Sequence, residues 1–192
     1  MSFLDLIVGP NGAGKSTLFE RVIEPARPGL PFVNADRIAA DRFGADAEQR
    51  SYEAAEIAAR TRDALIEARI DFRAETVFSH TSKVDLVTAA SAAGYHVTVH
   101  VVMIPLELSG ERVQARVAAG GHSVPADRLA ARFERLWANV ALIVPTSDQT
   151  IFWNNAGDEG PIEIATFRRG LADVPPAWPA WCPPVIAALG TA

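Results

Sequence analysis

Nine residues, GPNGAGKST from Gly9 to Thr17, constrain this chain more than any others. Gly9, four residues, then Gly14-Lys15-Ser16 is the P-loop spacing, and it stands in the required context: the apolar run FLDLIV before it and the helix-compatible KSTLFERVI after it. Glycines let backbone N–H groups converge on phosphate oxygens, and the start of a helix adds the positive end of its dipole. Lys15 is placed to reach the β- and γ-phosphates of a nucleotide and Ser16 to ligate Mg²⁺, with Pro10, Asn11, Gly12, Ala13 and Thr17 completing the cradle. The loop does not say whether the nucleotide donates a phosphoryl group, is hydrolysed or is only sensed. That depends on what stands opposite the γ-phosphate.

The rest of the chain alternates short β-rich runs with longer alanine-rich helical ones, the pattern of a mainly parallel sheet of five or six strands with helices on both faces. The first helix is expected to run until Pro25. LPFVNAD reads as the second strand, 47–68 as a long helix and IDFRAETVF as the third strand. Thr81 or Ser82 should cap the next helix and Gly94 close it. YHVTVHVVMI, rich in β-branched residues, suits a central strand. Two helical runs joined by Gly120, Gly121 and Pro125 make a short lid over about 106–135, and TIFWNNAGDEGPIEIATFR reads as two strands joined by a turn from Gly157 to Pro161. The stretch from about 171 to 192, with five prolines, is expected to form an irregular arm that packs its tryptophans on the body, ending in a helical turn. At 192 residues the whole is expected to be a single domain.

Three sets of residues are candidates for the γ-phosphate side. Asp36 ends the second strand, where ligands gather in open α/β sheets; it is either a base for an attacking hydroxyl or the cap of the helix RIAADRF. Glu75 shares a strand face with Arg73, Val77 and Ser79, and its buried carboxylate requires a cation or strong donor, either a ligand-linked group or an ion pair with Arg73 or another arginine. Arg128, Arg132 and Arg135 form one stripe, with Arg112 and Arg116 one turn apart on the preceding helix. Arginines delivered by a lid stabilise a transferring phosphoryl group and exclude water, whereas His122 between them reads as an exposed hydrogen-bonding residue.

GPNGAGKST, FVNADRIA, FRAETVFS and RVAAGGHSVPADRLAARFERLWAN, in that order between Leu4 and Asn155, together resemble the zeta-toxin family of P-loop kinases. The resemblance is to its small chromosomal branch, often labelled ABC-type ATPase or kinase. It implies an α/β P-loop kinase fold with a short lid, ATP or GTP as donor, and UDP-N-acetylglucosamine as acceptor, phosphorylated on a sugar hydroxyl. It further implies that Lys15 binds phosphate, that Asp36 is the base, and that Glu75 holds the acceptor or orients the site. Arg116, Arg132 and Arg135 would reach the phosphates from the lid, whereas Arg128 matches a variable apolar position. The family's third strand usually carries a hydroxyl two places after the glutamate, where this chain has Val77; Thr76 or Ser79 would have to compensate in binding the acceptor. Family members act as toxins held by a helical antitoxin, so a partner protein is a further expectation.

Composition limits the alternatives. With 18 basic against 23 acidic residues the net charge is −5, which offers no uniform basic field for nucleic acid, so a nucleic-acid role would need a local patch and is not expected. A single Cys182 excludes a disulfide framework and a cysteine-based zinc site and suits a reducing compartment. No run approaches the ~20 apolar residues of a membrane span and the N-terminus lacks a basic leader, so a cytoplasmic protein is expected. LSGER at Leu108–Arg112 resembles the signature of transporter ATPases, but no apolar strand ending in Asp-Glu follows it. The competing readings are a nucleotide-dependent ATPase or switch acting on a protein partner, and a kinase for a nucleotide or nucleic-acid end.

Overall fold

The protein is described by a computed structural model covering residues 1–118 and 126–190. In chain order it runs β1 (Ser2–Val8), the P-loop, α1 (Lys15–Leu18), a π-helical turn (Phe19–Ile23), α2 (Glu24–Ala26), β2 (Phe32–Asn34), α3 (Ala35–Phe43), a 3-10 turn (Gly44–Asp46), α4 (Ser51–Glu67), β3 (Phe72–Thr76), α5 (Ser82–Ala92), β4 (Tyr95–Met103), α6 (Leu106–Ala118), α7 (Ala126–Ile143), β5 (Gln149–Asn154), β6 (Ile162–Arg168), β7 (Leu171–Ala172) and α8 (Pro184–Ala187). The strands form one sheet in the order β2-β3-β1-β4-β5-β6-β7. The five strands from β2 to β5 are parallel, and β6 and β7 add an antiparallel edge.

Strand alternation gives the sheet two different faces. On one, Leu4, Leu6 and Val8 of β1 and Val97, Val99 and Val101 of β4 pack against Leu86, Val87 and Ala90 of α5 and Leu136, Trp137 and Val140 of α7. On the other, Ile7 and Val102 meet Leu18 and Ile23 from the helical run after the P-loop. β4 is covered on both sides, so Thr98 and His100, which alternate with Val97, Val99 and Val101, are buried as well, and the strand is central.

The second face also carries charge. The Arg73 side chain is fully buried; its guanidinium donates to Glu24, to Arg27 O and to Ile23 O (3.2 Å) and lies 3.5 Å from Asp5 Oδ2. The ion pair considered for Glu75 is therefore absent at Arg73, whose partners are Glu24 and Asp5. Nearby His100 is held neutral, its pKa pushed down to about 4 by burial and by Arg73, with Asp5 opposing.

Four expectations change. The sheet has seven strands, because β7 pairs with β6 through a two-residue turn in which Arg169 (φ 48°) and Gly170 (φ 85°) both take the left-handed conformation a primed hairpin turn needs. Pro25 does not end the first helical run: the Glu24 N–H bonds Phe19 O, five residues back, and this wider turn lets the run reach Ala26. Neither Thr81 nor Ser82 caps α5 with its side chain; the Ser82 N–H goes to His80 Nδ1 at 3.2 Å. The long helix begins at Ser51 rather than 47, after the separate 3-10 turn. Gly94 closes α5 as expected, at φ 82° with its N–H on Ser91 O. The C-terminal arm packs as its composition suggests: the Trp178 ring lies edge-on to Phe152, with centroids 5.0 Å apart.

Removing Arg73 would leave Asp5 and Glu24 without their buried cation. Arg73→Ala is expected to cost about 3–5 kcal/mol in urea unfolding, the range for breaking one side of a buried ion pair. A loss below 1 kcal/mol would show that the network carries little of the fold.

Candidate functional site

A loop that turns its N–H groups inward must find donors for the carbonyls it turns outward. Here every carbonyl from Gly9 to Gly14 has one. Lys15 Nζ donates to Gly9 O (3.2 Å) and Pro10 O (3.0 Å), and the Ala13 N–H also reaches Pro10 O. Ser109 Oγ donates to Asn11 O at 2.7 Å, Arg112 Nη1 to Gly12 O at 3.3 Å, Asn155 Nδ2 to Ala13 O at 2.7 Å and the Leu18 N–H to Gly14 O at 3.0 Å. Two of these donors lie on α6 and one just after β5. Arg112 also bonds Asn155 O at 3.1 Å, and the Asn155 N–H bonds Met103 O at 3.0 Å. The seating leaves no room for side chains: a Cβ would come within 2.5 Å of Val102 O at Gly9 and within 2.2 Å of Asn155 Nδ2 at Gly14.

The loop opens on a cavity of about 740 Å³, lined by its own residues Asn11, Gly12, Gly14, Lys15 and Ser16, by Phe19 and Glu20, by Phe32, Asn34, Asp36, Arg37 and Ala40, and by Glu75 and Arg116. Glu75 comes from β3, level with Ile7 of β1 and Asn34 of β2. Its carboxylate stands 3.9 Å from Lys15 Nζ and receives the Ser16 hydroxyl at 3.5 Å. Asn34, not Asp36, caps α3: Asn34 Oδ1 accepts from the N–H groups of Asp36 (2.7 Å) and Arg37 (3.1 Å). The capping alternative for Asp36 thus falls away, and its exposed carboxylate lines the cavity.

Burial costs both charges at the centre of the site. It pushes the Lys15 pKa below its ordinary value; Glu75 and Asp36 oppose that shift and Arg116 adds to it. Burial likewise pushes Glu75 up, with Asp36 adding, while Lys15 and hydrogen bonds from Asn34 and Ser16 hold it down. A cradle for phosphate beside two carboxylates suits the binding of a polyphosphate and the removal of a proton. The Ser16 hydroxyl, exposed beside Glu75 and across from Asp36, offers the all-oxygen surroundings that Mg²⁺ takes, so the residues present fit that ion.

The other candidates are placed unevenly. Arg116 reaches the cavity from α6, one turn beyond Arg112. On α7, Arg132 is half-buried and Arg135 is exposed, its Nε donating to Ser79 O at 3.3 Å. Thr76 lies on the face of β3 opposite Glu75, its hydroxyl accepting from the Phe78 N–H at 3.4 Å. Ser79 follows Phe78, a buried residue at φ 66° whose carbonyl is held by Asn139 Nδ2 at 2.9 Å. Neither Thr76 nor Ser79 is among the cavity's lining residues. His122, Gly120, Gly121 and the side chain of Arg128 lie outside the described residues. Sequence reasoning missed Ser109, Asn155 and the bracing role of Arg112; LSGER was weighed as a transporter signature and Arg112 as a lid arginine beside Arg116, neither of which points to the loop carbonyls.

For Glu75 the charge is costlier in the folded than in the unfolded chain, so the penalty is absent below about pH 4.5 and grows as pH rises through its raised folded value. For Lys15 the penalty is complete below its lowered folded value and vanishes above pH 10.5. At neutral pH the variant Lys15→Met/Glu75→Gln relieves both penalties but also removes the donor to Gly9 O and Pro10 O, so it is expected to melt within about 4 °C of wild type while losing nucleotide affinity. A melting temperature lower by more than that would show that the pair stabilises the fold.

In fold the chain is similar to the AvrRxo1-ORF1:-ORF2 complex solved with ATP, at TM-score 0.70 and 19% identity, over 91% of this chain and 60% of the matched one. It therefore spans about three fifths of that AvrRxo1 chain. It is also similar to the PezAT chromosomal toxin-antitoxin system of Streptococcus pneumoniae (TM-score 0.65, 14% identity, 84% of this chain and 71% of that one) and to shikimate kinase from Acinetobacter baumannii in complex with shikimate (TM-score 0.52, 16% identity, 83% and 86%). No curated protein gives a significant sequence match. The architecture is that of the α/β P-loop kinases, with seven mostly parallel strands. Residues 4–140, well over half of the chain, match the family model described as an AAA domain, and the chain belongs to that P-loop family.

Proposed function

We propose that this protein is a kinase that transfers the γ-phosphoryl group of ATP or GTP to a hydroxyl of a small metabolite, with a nucleotide sugar such as UDP-N-acetylglucosamine as the acceptor. The observation that carries the proposal is the position of Asp36, relieved of helix capping by Asn34 and facing the same cavity as Lys15, Ser16 and Glu75. Similarity to an AvrRxo1 complex solved with ATP and to a shikimate kinase supports the same reaction class. The Asp36 carboxylate takes the proton of the acceptor hydroxyl as its oxygen bonds to the γ-phosphorus, and the bond from that phosphorus to the β–γ bridging oxygen breaks, leaving ADP or GDP. Lys15 and Arg116, with Arg132 and Arg135 from α7, offset the charge on the transferring group. Ser16 would ligate Mg²⁺, which neutralises phosphate charge when bound. Glu75 keeps Lys15 and Ser16 in place and helps hold the acceptor.

A partner protein that covers the cavity, in the manner of an antitoxin, is part of the same reading, supported by two structural neighbours solved as protein pairs. Among the described residues no helix is long and apolar enough to cross a membrane, and a cytoplasmic location is proposed with the rest.

Asp36→Asn is expected to keep nucleotide affinity within about threefold while acceptor-dependent ADP formation falls by about 10²–10⁴. Normal turnover by this variant would remove Asp36 from the chemistry. Strong hydrolysis without any acceptor, unaffected by Asp36→Asn, would favour the nucleotide-driven switch instead.

A further inference from the structure

Resting on the kinase reading, the cations around the cavity can be divided between the two substrates. Among the described residues its lining holds three of them, Lys15, Arg37 and Arg116. Lys15 and Arg116 belong to the donor phosphates, which leaves Arg37 for the acceptor. Arg37 directly follows the proposed base, with Cα atoms about 3.8 Å apart, so a small molecule that offers its hydroxyl to Asp36 has Arg37 within its own length.

Arg37 is placed without being used by the fold. Among the described residues no carboxylate pairs with it; its guanidinium lies over the Phe32 ring, Cζ 5.4 Å from the centroid. Phe32 stacks on Phe19, with centroids 4.1 Å apart and planes 9° from parallel, and Phe19 in turn lies 5.8 Å from the buried Arg73 guanidinium. A line of contacts thus runs from the fixed Arg73 to the cavity and steadies Arg37 by cation–π attraction while leaving its N–H donors free. Helix stability does not explain an arginine here, because the first turn of α3 disfavours a cation and its N–H groups are already taken by Asn34. Glu20, Asp36 and Glu75 line the same cavity, so an anionic acceptor needs a cation of this kind to enter and a neutral one does not.

We infer that Arg37 binds an anionic group of the acceptor, a phosphate or a carboxylate, and selects charged acceptors over neutral ones bearing a similar hydroxyl. A guanidinium presents parallel N–H donors matched to either group.

The test measures transfer of label from ATP by wild type, Arg37→Ala and Arg37→Lys to paired compounds: UDP-N-acetylglucosamine against N-acetylglucosamine, and gluconate against glucose. The two pairs separate phosphate from carboxylate as the preferred anion. Wild type should favour an anionic member. Arg37→Ala should raise that acceptor's KM about tenfold to hundredfold, with kcat and the KM for ATP moving less than about threefold, and should erode the preference by the same factor. Arg37→Lys should restore part of the loss, which a role in folding alone would not require. Transfer that shows no preference for the anion, or no dependence on Arg37, overturns this assignment and leaves the kinase reading standing. No transfer to any of the four compounds, with hydrolysis that needs no acceptor, overturns both.

Discussion

The site depends on one backbone constraint. To aim its N–H groups at a phosphate, the stretch from Gly9 to Gly14 must give its carbonyls to other donors, and three of those come from Ser109, Arg112 and Asn155. Each is far along the chain, so the loop acquires its shape only once β4, α6 and β5 are in place around it. Lys15 adds its own bonds to Gly9 O and Pro10 O, so the residue proposed to bind phosphate also closes the loop's hydrogen-bond accounting.

Charge adds a second constraint that works against the first. Lys15 and Glu75 sit nearly buried and only 3.9 Å apart, each held where its ionised form is disfavoured. Natural proteins retain such groups where a ligand or a reaction uses them, accepting a less stable fold in return. The buried Arg73 cluster behind the loop is of the other kind, since its partners lie within the protein.

Much of this was legible in the sequence because it was local. The P-loop spacing, the central character of β4 and the common face of Arg73 and Glu75 all follow from residues within a few places of each other, whereas Asp36, expected to end the second strand, lies two residues beyond it in the first turn of α3. What escaped was decided at long range or by side-chain competition. Asn34 and Asp36 both suit a helix cap, and only the backbone path shows that Asn34 takes the N–H groups. Arg73 finds Glu24 and Asp5, separated from it by dozens of residues. The π-helical turn was hidden because Pro25 reads as a helix stop, and the Arg169–Gly170 hairpin because arginine is an unusual residue at a left-handed turn position. The bracing residues of α6 were hidden for a simpler reason: their partners are carbonyls, which leave no trace in side-chain identity.

Helix α6 has a mechanical meaning beyond its length. Ser109 and Arg112 fasten it to the loop, and Arg116 follows one turn later, about 6 Å along the same axis. Loop and arginine are therefore joined through one helix and spaced by its pitch. A change that tilts α6 would misplace the loop and the arginine together.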